Sequence, residues 1–149
     1  MHDHENTIDL IGEHWGWLGV RPKGIVDINQ FGNIIFLDLV GQYWRICPEE
    51  LSCEVIADSK NTFSDLLKTE DFQIDWGMAP LVEQARGKLG PLKPGYVYYL
   101  VVPAVFGGEY SASNMQSVPL SELIHLSGDF AYETHDLPDG AQIELKIVD

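Results

Sequence analysis

The sequence predicts an α+β fold: a single compact domain with helices packed on an antiparallel sheet. Three observations lead there. Strand-like runs in the first half follow one another through tight turns, which makes their pairing local and antiparallel. Apolar stripes of helical spacing are separate from those runs and lie mostly in the second half. The 149 residues are 45 % hydrophobic, enough for one core burying about two-thirds of the unfolded surface.

The elements follow in order. Ile8, Ile11, Trp15 and Leu18 share a helical face, with Gly12 and Gly16 weakening the helix and Gly19 ending it. Strands at Gly24–Asn29 and Ile34–Asp38 are separated by the turn signal Gly32-Asn33. A third strand spans Tyr43–Ile46. Pro48-Glu49-Glu50 suits a single helical turn, and Ser52–Ala57 forms a fourth strand with Cys53, Val55 and Ala57 on one face. Thr62 caps a short helix that buries Phe63, Leu66 and Leu67.

A longer helix over Gly77–Leu89 carries the stripe Met78, Leu81, Val82, Ala85 and Leu89. Pro80 sits in its first turn, and Gly90-Pro91 stops it. The apolar run Tyr96–Val102 reads as a central strand buried on both faces, Asn114–Val118 as a short strand, and Leu120–Tyr132 as a helix. Pro138-Asp139-Gly140 turns into a last strand with Ile143, Leu145 and Ile147 inward. Residues 1–30 are thus a helix and lead-in strand, and residues 31–146 the α+β core of one domain.

Charge narrows the function. The chain carries 23 Asp and Glu against 9 Lys and Arg, a net charge of -14. Four Trp, six Tyr and six Phe among the carboxylates argue for a folded acidic protein, since disordered acidic chains are poor in aromatics. Such a surface repels nucleic acid and anionic membranes and steers basic proteins toward itself. No signal peptide or membrane-spanning run is visible, which implies the cytoplasm. Cys47 and Cys53 read there as reduced packing residues.

Several runs, in order, carry a family likeness: Phe31-Gly32-Asn33-Ile34, then Tyr43-Trp44-Arg45-Ile46-Cys47-Pro48-Glu49-Glu50-Leu51, then Asp75-Trp76. Pro103-Ala104-Val105-Phe106-Gly107-Gly108-Glu109-Tyr110 and Asp136-Leu137-Pro138-Asp139-Gly140 complete the series. From Phe31 to Lys146 the chain resembles the C-terminal domain of bacterial type VI secretion immunity proteins of the GAD-like, DNase-neutralising kind. The resemblance implies an antitoxin that binds and inhibits a cognate secreted effector, a basic protein and a nuclease. The larger immunity proteins carry a GAD-like domain where about thirty residues precede Phe31 here.

From Cys47 to Glu83 nine carboxylates face only Lys60 and Lys68. This acid is a solvated face that maintains solubility, or a complement to the basic groove of a nuclease. The partner-binding candidates are Glu49, Glu50, Glu70, Asp71, Asp75, Trp76, Glu109 and Tyr110. Trp44 and Trp76 are anchors at the edge of the core. Gly107-Gly108 lacks the Lys-Ser/Thr of a phosphate loop and reverses the chain after a buried strand.

His2 and His4 lie at the terminus, while His14, His125 and His135 have no helical i, i+4 partner and no H-E-x-x-H context. Neither a metal, a cofactor nor a catalytic residue is expected. The rival readings are an interaction module of a toxin system with a non-nuclease target, and a small enzyme built on the Gly107-Gly108 loop.

Overall fold

The computed structural model describes residues 2–136. Helix α1, His4–Trp15, is capped by Asp3, whose side chain accepts from the Asn6 amide. A four-stranded antiparallel meander follows: β1 Pro22–Ile28, β2 Ile34–Asp38, β3 Tyr43–Cys47 and β4 Ser52–Ala57, in the order β1-β2-β3-β4. Pro48–Glu50 forms one 3-10 turn between β3 and β4. Helices α2 Lys60–Leu67, α3 Glu70–Gly77 and α4 Ala79–Leu89 come next. Strands β5 Tyr96–Leu100 and β6 Met115–Pro119 pair in a two-stranded antiparallel ribbon, and α5, Leu120–Thr134, closes the described chain. This is the α+β architecture expected.

The meander is covered on both faces. Ile34, Phe36, Ile46 and Cys53 point toward Ile11 and Trp15 of α1 and Leu120, Leu123 and Ile124 of α5. Ile35, Tyr43 and Ala57 point the other way, against Phe63 of α2 and the half-buried Phe72 and Trp76 of α3. The Tyr43 and Phe63 rings stack at 4.1 Å, an arrangement worth about 0.5–1.5 kcal/mol beyond area burial. Strand β5 separates two clusters: Val97 joins the α1–α5 core, and Tyr98 faces α4 with Leu100 and Ala85. The Tyr98 amide donates to the Gln30 carbonyl at 2.8 Å, tying the ribbon to the β1–β2 turn.

Several expectations change. Tyr96–Val102 was expected to be a central strand; β5 stops at Leu100 and, among the described residues, pairs with β6 alone. The Val102 amide turns to the Asn114 side chain ahead of Pro103. The expected helix Gly77–Leu89 is broken: Gly77 ends α3, and Met78 adopts a left-handed conformation (φ 48°) before α4 begins. Of its stripe, only Ala85 is fully buried. Asp75-Trp76 accordingly closes one helix and does not open the next.

Ser59, not Thr62, caps α2, and Leu67 is exposed. Cys53, Val55 and Ala57 do not share a face, because a register shift opposite Tyr43/Trp44 places Ala57 beside Tyr43 and Val55 beside Trp44. The Pro138-Asp139-Gly140 turn and the last strand lie outside the described residues.

Candidate functional site

Strand β3 turns Arg45 to the α3 side of the sheet, where its side chain is only 15 % exposed. Nε donates to Asn33 Oδ1 at 3.1 Å and Nη1 to Asp75 Oδ2 at 2.5 Å, and the guanidinium lies 5.1 Å from the Trp76 ring centroid. Trp76 is itself held at two points. Its indole N–H donates to Asp27 at 2.8 Å, and its carbonyl accepts from Asn29 at 3.0 Å.

Asn33 is fully buried, and its amide nitrogen donates to Glu49 in a forked contact, 3.0 Å from each carboxylate oxygen. Glu49 is 2 % exposed. Burial raises its carboxyl above the ordinary range; donors from Cys47 and Asn33, and the nearby Arg45, oppose that without cancelling it. The Cys47 thiol donates to Glu49 Oε2 at 2.9 Å. Burial, and then Glu49, push this thiol far above its usual range, which favours the protonated, donating form.

Above this network opens a groove of about 610 Å³. Glu50, Glu54 and Asp75 line it together with Arg45, and Ile56, Ile74 and Leu81 supply apolar wall. Tyr110 closes one side, donating its hydroxyl to Glu50 at 3.2 Å. Burial first, then Glu49 and Glu50, push its phenol upward, which keeps it protonated.

The two non-glycine residues with positive φ among the described residues, Leu51 and Met78, both adjoin this groove. Each left-handed residue costs on the order of 1–2 kcal/mol and persists only where its surroundings enforce it. Leu51 donates its backbone N–H to the Pro48 carbonyl, and Met78 donates its own to the Ile74 carbonyl.

The structure therefore gathers Glu50, Asp75 and Tyr110 at one surface, with Glu49 beneath and Trp76 behind. Glu70 and Asp71 stand exposed in the first turn of α3 and do not line the groove, nor does Glu109. Trp44 belongs to the opposite face, where its indole N–H donates to Asp38 at 2.8 Å.

Arg45 and Asn33 were not among the sequence candidates. Both sit in the runs that carried the family likeness, and four of those five runs converge here. A second cluster also escaped the sequence: His14 of α1 meets His125 and Asp129 of α5. The expectation that His125 lacks a helical i, i+4 partner does not hold: Asp129 lies one turn on, its Oδ2 2.8 Å from His125 Nε2, because a carboxylate and not a second histidine fills that position.

Comparison with known proteins adds the following. The family model described as T6SS immunity protein Tdi1, C-terminal, matches residues 57–131, just over half of the chain. No curated protein matches. Among solved structures, Atu4351 from Agrobacterium tumefaciens superposes with a TM-score of 0.56 at 14 % identity, covering 84 % of this chain. That likeness is one of fold, and this chain spans 63 % of the length of that protein. Among the described residues no helix is long and apolar enough to cross a membrane.

Proposed function

This chain belongs to the type VI secretion immunity family defined by the Tdi1 C-terminal domain, and we propose that it acts in the cytoplasm by binding and blocking a cognate effector toxin. The toxin we infer is a nuclease, met on the basic surface with which it holds nucleic acid. The observation that carries this reading is the groove over Arg45: three carboxylates, one tyrosine and an apolar wall, on a chain of net charge -14. A nuclease must offer Lys and Arg to phosphates, and a surface of opposite sign speeds encounter and excludes wrong partners.

The roles divide by position. Glu50, Glu54 and Asp75 receive the toxin's cations. Tyr110 and Ile74 bury against its apolar atoms, as aromatic anchors do at interfaces. Glu49 and Trp76 hold the surface from below, and Glu70, Asp71 and Glu109 serve as an outer rim that attracts at longer range. In this reading binding involves no cofactor and no chemistry on the toxin, and the Cys47 thiol serves as a donor to Glu49.

The test is stopped-flow association with the cognate effector, once a pull-down has identified it. Glu50→Lys with Glu54→Lys should slow association about tenfold or more at low salt and flatten its salt dependence. Both side chains are exposed, so the melting temperature should hold. Association at the unaltered rate would show that the acid only maintains solubility. An effector that binds without competing with DNA would refute the nuclease-groove part alone.

A further inference from the structure

We propose that His14, His125 and Asp129 form a divalent-cation site of the zinc type that clasps α1 to α5. Asp129 follows His125 by one turn of α5, and its Oδ2 lies 2.8 Å from His125 Nε2. Its Oδ1 lies 2.9 Å from His14 Nδ1, across the helix interface. The two imidazoles stack with centroids 4.3 Å apart, and the three donor atoms all lie within 4.8 Å of one another. Around a tetrahedral zinc with bonds of about 2.0–2.2 Å, neighbouring donors stand about 3.3 Å apart. Each imidazole already lies that close to the Asp129 carboxylate, though to a different oxygen, so a rotation of the carboxylate and of His125, whose side chain is 58 % exposed, brings one donor atom from each residue to the ion.

The backbone fixes where His14 stands. A Cβ on Gly128 would lie 2.5 Å from the His14 carbonyl oxygen and 2.8 Å from its Cβ, so the helices touch at that residue with no side chain between them. The electrostatics favour a cation. Glu13 Oε2 is 3.8 Å from His14 Nε2, and a surface cavity of about 400 Å³ beside His14 and Asp129 is edged by Glu13 and Glu133.

Two imidazoles and one carboxylate suit Zn²⁺, Co²⁺ or Ni²⁺, whereas Mg²⁺ and Ca²⁺ demand oxygen shells. Water completes the coordination on the open side. Without a cation the same side chains form a carboxylate that accepts from two imidazoles, so the ligands are preassembled by the hydrogen bonds that the metal would replace. The consequence is structural: α1 lies outside the matched residues 57–131, and the cation would fasten it to α5, most of which lies within them.

The experiment is titration of the untagged chain with Zn²⁺, followed by calorimetry and by melting temperature, with Co²⁺ visible absorption as a spectroscopic probe. One equivalent should bind and raise the melting temperature, with the imidazole proton resonances of His14 and His125 shifting together. His125→Gln and Asp129→Asn should each abolish binding, while His2→Ala with His4→Ala should leave it. No stoichiometric binding, binding that survives His125→Gln, or an equal rise in melting temperature with Mg²⁺ would each overturn the proposal. The resonance shifts need no variant, so they decide the case even if Asp129→Asn fails to fold.

Discussion

Replacing Asn33 by Ala tests the network beneath the groove. Asn33 donates one forked hydrogen bond to a Glu49 that is almost fully buried, and it accepts the Nε hydrogen of Arg45. Bonds to charged groups contribute about 1.5–3 kcal/mol each, and stranding a buried charge costs about 3–5 kcal/mol. Because Cys47 still donates to Glu49, a loss of about 3 kcal/mol at neutral pH is expected, at the lower end of that range.

The loss should depend on pH in one direction. The Glu49 carboxyl titrates above its ordinary 4.5 in the folded state, so the folded chain binds more protons than the unfolded one between those two values. Stability contributed by this group therefore rises as pH falls through that window. Without Asn33 the folded-state value moves higher still, and the variant recovers more than the parent on mild acidification. Urea denaturation at neutral pH and in mild acid measures both quantities. A loss under about 1 kcal/mol, or an equal loss at the two pH values, would refute the reasoning. Asn33→Ala with Glu49→Leu removes charge and donor together, and should recover part of the loss in a double-mutant cycle.

Two further outcomes follow from the same geometry. Gly108→Ala would set a Cβ against the Val102 carbonyl and 2.9 Å from Asn114 Nδ2, so the loop must shift. It should lose about 1–3 kcal/mol by thermal denaturation, and a neutral result would mean the loop is not packed as described. Burial pushes Cys47 well above its usual range and Cys53 up to about 12, so both should resist iodoacetamide in the native protein and react in urea. Native labelling at the rate of a free thiol would contradict that burial.

What the sequence disclosed depended on how local the signal was. The meander was legible because Gly32-Asn33 and the alternating strands are self-contained signals. Helix α5 was legible because Leu120, Leu123, Ile124 and Ala131 repeat at helical spacing on a face that is indeed buried. Helix α3 was invisible for the opposite reason. It buries no residue fully, and its Phe72 and Trp76 reach a sheet face built from residues far away in the chain.

Pro80 suited the first turn of a helix beginning at Gly77, and it suits α4 equally well. Nothing at Met78 announces a left-handed residue. The bulge that rotates Ala57 away from Cys53 is likewise a property of pairing with β3 and not of β4 alone. At the groove, the carboxylates are legible in the sequence because they are numerous. Arg45 reads there as one base among many acids, although the network runs through it.

That lone cation explains how an acidic groove can hold a shape. Carboxylates crowded without a partner repel, and their side chains spread into solvent. Arg45 stops this by joining the start of β2, β3 and α3 through Asn33 and Asp75, with the Trp76 ring 5.1 Å from the guanidinium. Its charge is committed within the protein, so it does little to repel an approaching basic surface. Glu50 and Glu54 remain exposed and without salt bridges among the described residues. A groove fixed in this way loses less conformational freedom when a partner binds, which is where preorganisation converts into affinity. Arg45→Met should then weaken toxin binding even though it makes the groove more acidic. Tighter binding measured for that variant would show that net charge, and not the fixed position of the carboxylates, governs recognition.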